Sequence, residues 1–207
     1  MQAITLYRHP LSGNSHRVEV LLSLLGLEAT LVDVDLMAGE QRQPEFLKLN
    51  PNGQVPVLVD GDVLLTESNA ILVYLATKYD VNRRWLPTEP LAAAKVQQFL
   101  SITANEILHG PAAARLVTLF GAGLDHEAVI ASAHKTLAYI NTHLQDQDWL
   151  AGDEPTLADV AIYAYVAHAP EGDVPLNDYD QIKGWLKRFQ SLKGFVPMQS
   201  SAVGLAA

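Results

Sequence analysis

A small α/β domain followed by an all-helical domain is the architecture that this 207-residue sequence predicts. Three features carry that reading. Over roughly the first 80 residues, strand-like runs take turns with stretches whose apolar residues recur at helical spacing. A charged stretch with two prolines, "DVNRRWLPTEP" (80–90), then breaks the pattern. Beyond it the apolar repeats are helical.

The elements follow in order. "AITLY" (3–7) reads as a short buried strand. Val18, Leu21, Leu22 and Leu25 fall at i, i+3, i+4 and i+7, an amphipathic helix that Gly26 can close. "ATLVDVD" (29–35) alternates as a strand should, and "QPEFLKL" (43–49) suggests a short helix. "VPVLVDGDVLLTE" (55–67) reads as two strands around an Asp60-Gly61 turn. "SNAILVYLATKY" (68–79) has helical spacing at Ile71, Leu72, Leu75 and Tyr79. The order is β-α-β-α-β-β-α over residues 1–80, with 81–89 as linker and 90–207 as the helical domain. Helices are expected over 90–120, interrupted at Gly110-Pro111, then over 125–145, 156–168 and 179–192. Thr156 with Asp159 three residues on makes a capping box ahead of an apolar run, a folding signal and not a catalytic one.

Composition narrows the function. At 49% hydrophobic and 18% charged, the chain has an ordinary globular make-up. A net charge of −9 argues against a general nucleic-acid binder, which needs a basic stripe to displace counterions. No run reaches the ~18 apolar residues of a membrane span, and "MQAITLYRHP" lacks the basic and apolar regions of a signal peptide, so neither membrane partner nor export is expected. There is no cysteine, which excludes disulfides, zinc-cysteine sites and cysteine nucleophiles. The seven histidines are scattered with no ligand-pair spacing, so no metal is expected. Any thiol chemistry must use a thiol brought by a ligand.

Three segments, "LYRHPLSGNSHRVEVLLSLLG", "GEQRQPEFLKLNPNGQVPVL" and "LTESNAILVYLATKY", together resemble the N-terminal domain of cytosolic glutathione transferases, and the capping box matches their helical domain. The resemblance is greatest to bacterial, theta-, zeta- or nu-like members that use a serine or threonine near the first helix. It implies a thioredoxin-like α/β domain with a mixed sheet, an all-α bundle after it, and a cytoplasmic homodimer with glutathione as co-substrate. Glutathione carries two carboxylates and one amine, so its site needs anion holders at both ends and a backbone clamp between. Glu67-Ser68 lies where a strand gives way to a helix, and free amides with the helix dipole make such a junction an anion site. Ser68 is expected to hold the γ-glutamyl carboxylate, with Glu67 facing the ammonium. By resemblance the Val55-Pro56 bond is cis and offers the Val55 backbone to the cysteinyl unit. A trans proline opening an edge strand fits the tripeptide alone equally well. Gln41 and Gln54 are placed to reach the glycyl carboxylate.

Alignment through "RVEVLLSLLG" puts Ser12 on the family's catalytic serine or threonine, and Asn14 where one bacterial branch has an asparagine. The Ser12 hydroxyl would donate to the glutathione sulfur and favour thiolate. A thiol of pKa ~8.5 is about 3% ionised at pH 7, and lowering it two units takes roughly 2.7 kcal/mol. One hydrogen bond to a charged group supplies about 1.5–3 kcal/mol. Falling nucleophilicity returns about 6- to 10-fold of the roughly 25-fold gain in thiolate. Most of the rate must therefore come from positioning. Tyr7 and Asn14 are the rival donors, though packing explains Tyr7 as well and Asn14 can act as a helper, and Ser15 and His16 read as cap and helix surface. The electrophile pocket is expected between the first-strand loop and the start of the helical domain, which nominates Leu11, Leu108, Pro111 and Arg115. Arg115 serves a dimer interface equally well, and His109 is a lone histidine of structural type.

The leading expectation is conjugation of glutathione to a small electrophile. A glutathione-dependent disulfide reductase or peroxidase is the alternative, and exchange between two bound glutathiones needs no protein cysteine. A zeta-like isomerase ranks lower, since "SGN" keeps only the first residue of that branch's Ser-Ser-Cys motif. A scaffold that binds glutathione or a protein without turnover is the reading from another class.

Overall fold

The computed structural model describes residues 4–203. Ala3, expected to open the first strand, and the last four residues of the helical half lie outside the described residues. The first half runs β1 (Ile4–Arg8), α1 (Gly13–Leu24), β2 (Ala29–Asp33), α2 (Pro44–Leu47), β3 (Val57–Asp60), β4 (Val63–Leu65) and α3 (Ser68–Tyr79). Its four strands make one mixed sheet in the order β2-β1-β3-β4. The β1–β2 pair is parallel because α1 carries the chain back between them, while β3–β4 is an antiparallel hairpin turned at Gly61. This is the thioredoxin-like arrangement with its β-α-β-α-β-β-α order.

The helix α1 starts five residues earlier than apolar spacing suggests. Ser15, His16 and Arg17 are polar and yet 1–3% exposed, so the first turn is buried without an apolar signature. A 3-10 turn at Glu40–Arg42 precedes α2 and has no such signature either.

The second half holds α4 (Pro90–Ile102), α5 (Ala113–Phe120), α6 (His126–His143), α7 (Leu157–Ala167) and α8 (Asp180–Gln190). The break expected at Gly110-Pro111 is not a break. Residues Thr103–Ala112 join α4 to α5 as a π-helical stretch with Pro111 inside it. A wider turn tolerates a residue that lacks an amide and crowds the preceding carbonyls. Gly110 serves close approach instead, since a Cβ there would sit 3.0 Å from the Ala133 Cα of α6.

The connection from α3 to α4 is pinned to the core. Trp85 is buried, its amide donates to the Asp80 carboxylate at 2.7 Å, and its carbonyl accepts from the Leu157 amide at 2.9 Å. One apolar cluster runs through both halves, from Leu6, Leu21 and Leu72 to Val160, Ile162 and Trp185. At its centre is α7, in which every residue from Leu157 to Val166 is buried. A helix buried on every side, its one carboxylate satisfied by hydrogen bonds, is an interior one.

The capping box at the start of α7 reaches beyond the helix end. Thr156 donates its amide to Asp159 Oδ2 at 2.9 Å, and its hydroxyl accepts from the Ala158 amide at 3.2 Å. Asp159 Oδ1 also accepts from the Leu150 amide at 3.0 Å and from Trp185 Nε1 at 2.9 Å. Burial pushes the Asp159 carboxyl upward, against these hydrogen bonds. Asp159→Ala strands three buried donors and is expected to cost about 3 kcal/mol of stability. The check is a lower urea midpoint at unchanged slope.

Candidate active site

The turn after β1 is held by its own polar groups. The Ser12 amide donates to the His9 carbonyl at 2.9 Å, the Leu11 amide to His9 Nδ1 at 3.2 Å, and the His9 amide to Ser15 Oγ at 3.3 Å. Burial lowers the His9 pKa, which keeps the ring neutral and Nδ1 free to accept. Ser12 is the N-cap of α1, with extended backbone angles and an Oγ that accepts from the Ser15 amide at 3.3 Å. Accepting that bond leaves the hydroxyl proton free to donate elsewhere. The cap is therefore Ser12 and not Ser15, which is buried inside the first turn.

Gly13 sets how α1 meets the second half. A Cβ at this residue would lie 2.8–3.0 Å from the Tyr165 ring of α7, so only a bare backbone lets that ring pack under the turn.

The N-terminus of α3 faces α1. Glu67 occupies its N-cap position at φ 64°, a left-handed strain uncommon outside glycine, and makes no capping bond with its side chain. Ser68 follows, 8% exposed. The Val55–Pro56 peptide bond is cis. Asn50, buried, braces this loop by donating to the Gln54 carbonyl at 2.8 Å and accepting from the Asn52 amide at 3.0 Å.

These segments meet around an open cavity lined by Asn14, Asn50, Gln54, Val55, Pro56, Glu67 and Ser68. Six of the seven are residues that the sequence nominates, drawn from three separate segments. Asn50 is the addition; it stands in the quoted "NPNGQVP" run but draws no attention there, because its side chain works on the loop itself. Ser12 is not among the lining residues. Gln41 is turned toward its own loop, with Nε2 3.4 Å from the Leu36 carbonyl and a buried Oε1 that has no partner.

Other nominated residues take different places. Tyr7 packs edge-on against Phe46, with ring centroids 6.4 Å apart, in a small satellite core with Val34 and Val57. Arg115 is no open pocket residue. It is 2% exposed, ion-paired to the buried Glu171, and its Nη1 donates to the Leu11 carbonyl at 3.3 Å. Pro111 is buried, Leu11 half-buried and Leu108 exposed. His109 is exposed, its Nδ1 2.9 Å from the Asn105 carbonyl.

Sequence reasoning misses Arg17 altogether. It lies one turn into α1, 3% exposed, and its Nη1 donates to Ser68 Oγ at 3.1 Å and to Asn69 Oδ1 at 3.0 Å. An arginine beside an apolar repeat reads as a solvated neighbour, so nothing in the pattern marks it.

A family model described as "Glutathione S-transferase, N-terminal domain" matches residues 2–77, and one for the C-terminal domain of the same family matches residues 125–193. The chain belongs to the glutathione S-transferase family. Glutathione S-transferase 3 of Zea mays is 40% identical over 168 residues, covering 77% of this chain and 75% of its own. Among solved structures, a glutathione S-transferase from Pseudomonas fluorescens superposes with a TM-score of 0.88 at 33% identity, covering 95% of this chain and 99% of its own. A glutathione transferase homologue from Drosophila mojavensis, solved with bound glutathione, has a TM-score of 0.85 at 25% identity and covers 93% and 89%. Among the described residues no helix is long and apolar enough to cross a membrane, and no cluster of three or more His, Asp or Glu could hold a metal ion.

His16 corrects the expectation of a surface position in this family chain. It is 2% exposed, and its Nε2 donates to the Val196 carbonyl at 2.8 Å. Burial pushes its pKa down to about 4, against the pull of that hydrogen bond. The unfolded chain then binds this proton more readily than the folded one, so stability is full above pH ~6.5 and is lost as pH falls toward 4. Between pH 6.5 and 5 the loss attributable to His16 is about 2 kcal/mol. Urea titrations of wild type and His16→Gln at both pH values should show a smaller acid loss in the variant.

Proposed function

We propose that this protein is a glutathione transferase: it binds glutathione in the α1–α3 cavity and directs its thiolate at a small electrophile, forming a thioether. The observation that carries the reading is the cavity itself, with Asn14, Gln54, Val55, Glu67 and Ser68 brought together from three segments. The γ-glutamyl carboxylate lies at Ser68, where the N-terminal amides of α3 and the Ser68 hydroxyl donate to it. The ammonium faces Glu67, whose carboxylate is not spent on capping. The Val55 amide and carbonyl have no backbone partner among the described residues and pair with the cysteinyl backbone as an added strand would. Gln54 takes the glycyl carboxylate. Gln41 joins it by turning away from the Leu36 carbonyl, a contact long enough at 3.4 Å to break at little cost.

The sulfur then lies toward the N-terminus of α1. The Ser12 hydroxyl, its lone pair committed to the Ser15 amide, donates its proton to the thiolate, with Asn14 as the neighbouring donor. Ionisation proceeds by loss of the thiol proton to solvent. The thiolate attacks the electrophilic carbon, the new C–S bond forms, and the electron pair leaves with the displaced group or enters the acceptor's π system. The electrophile is placed between the β1–α1 turn and the start of the helical half, beside Leu11 and the exposed Leu108. Two copies assemble as a cytoplasmic homodimer in this reading, with the α/β domain (1–80) of one packed on the helical domain (90–207) of the other.

The test is Ser12→Ala, compared with wild type by calorimetry with glutathione and by ultraviolet absorbance of the bound thiolate. The variant should keep most of its glutathione affinity, lose the thiolate signal at neutral pH, and fall about 10- to 100-fold in kcat/KM toward a model electrophile. An unchanged thiolate signal in Ser12→Ala transfers the donor role to Asn14. Absence of glutathione binding by wild type overturns the transferase reading.

A further inference from the structure

Arg17 is an interior cation, 3% exposed. Among the described residues no carboxylate lies within ion-pair distance of it, and its Nε has no hydrogen-bond partner. Its visible partners are neutral: Ser68 Oγ, Asn69 Oδ1 and the face of the Tyr165 ring, 5.6 Å from the guanidinium carbon. Burial pushes its pKa down to about 10, which still leaves it charged at neutral pH. A buried charge without a counter-charge is strongly disfavoured, and a chain that keeps one pays that cost where an anion arrives from outside. The nearby Arg115 shows the ordinary solution, a buried pair with Glu171.

The hydrogen-bond directions around Arg17 indicate where the anion goes. Arginine has donors only, so Ser68 Oγ must accept from it. The Ser68 proton is thereby directed away from Arg17, and Ser68 lines the cavity. Asn69 is oriented as well: its Nδ2 donates to the Leu100 carbonyl at 2.9 Å, which leaves Oδ1 to accept from Arg17. The result is a chain of donors, guanidinium to serine hydroxyl to cavity, with a full positive charge at its buried end.

We infer that Arg17 is a positioning residue for substrate, supplying through the Ser68 hydroxyl the counter-charge that selects a carboxylate at this end of the cavity. The inference rests on the glutathione reading and names the α-carboxylate of the γ-glutamyl unit as the group selected. Donation from Arg17 polarises the Ser68 O–H, and the low dielectric around both lets the charge act across the hydroxyl. The site accordingly prefers an anion over a neutral group of the same size, a preference that a serine and helix amides alone would exert more weakly.

The experiment is a ligand-by-variant cycle. S-methylglutathione and its analogue without the α-carboxylate (4-aminobutyryl-S-methylcysteinyl-glycine) are titrated by calorimetry into wild type, Arg17→Gln and Arg17→Lys. Wild type should bind S-methylglutathione at least tenfold more tightly than the analogue. Arg17→Gln should lose on the order of tenfold for S-methylglutathione and change little for the analogue. Arg17→Lys, which keeps the charge, should recover part of the difference. Equal losses for both ligands would make Arg17 a purely structural residue and overturn the inference. If Arg17→Gln does not fold, the same comparison is made with Arg17→Lys and with Ser68→Ala, which removes the hydroxyl and leaves the arginine. The discrimination between the two ligands should then shrink in Ser68→Ala, and a discrimination there as large as that of wild type likewise overturns the inference. Failure of wild type to bind S-methylglutathione is the separate failure of the glutathione reading.

Discussion

The packing of α7 against the first turn of α1 is the contact on which the site depends. The helix α7 is buried around its whole circumference, so it touches both halves of the chain and can shift toward neither. Its Tyr165 lies under Gly13, at a separation that leaves no room for a Cβ. Gly13 stands between Ser12 and Asn14, so the same contact places the capping hydroxyl and the cavity-lining amide. From the other side α3 brings Ser68 to within hydrogen-bond reach of Arg17, one turn further along α1. The Ser12–Asn14 turn and the contact to Ser68 are thus set by neighbouring turns of one helix, whose start packs on the Tyr165 ring.

Tyr165 also stands between two guanidinium groups of contrasting condition. Arg17 and Arg115 lie 5.6 and 6.0 Å from its ring centroid. Arg115 is neutralised by Glu171, which also takes the His168 ring nitrogen at 3.1 Å and the Ser201 amide at 2.9 Å. Burial alone would raise the Glu171 carboxyl, but these partners outweigh it and hold the group below its usual range. The ion pair ties α5, the segment after α7 and the C-terminal stretch together, and reaches the Leu11 carbonyl of the β1–α1 turn. A buried pair of this kind is weak evidence for stability and better evidence for geometry. Among the described residues Arg17 has no such partner, and its proposed role rests on that asymmetry.

Much of the fold was legible because it is written in period and punctuation. Alternation marked β2, the Asp60-Gly61 turn marked β3 and β4, helical spacing marked α3 and the later helices, and Thr156 with Asp159 marked the start of α7. Legibility failed where polar side chains are interior. The first turn of α1 is helical from Gly13, but Ser15, His16 and Arg17 gave no apolar signal and His16 read as surface. Gly110-Pro111 read as a break because either residue alone weakens an α-helix; a π-helical stretch absorbs the proline, and the glycine lets α6 approach. Arg115 read as a pocket residue because its partner Glu171 lies 56 positions away.

The sequence by itself determined the family and the order of the elements. Glu67-Ser68 could be singled out by local chemistry, as a strand-to-helix junction, whereas Ser12, Asn14, Gln54 and a cis Val55-Pro56 came from the resemblance of their surrounding motifs to the family. Only the tertiary structure decided which of these side chains face one another, that Gln41 turns aside, and that Arg17 sits buried behind Ser68. The reason is the range of the forces involved. Caps and turns are satisfied within a few residues and leave their mark in the local sequence. The cost of a buried charge depends on every group within several ångströms, and those groups come from α1, α3 and α7, segments that meet only once the chain has folded.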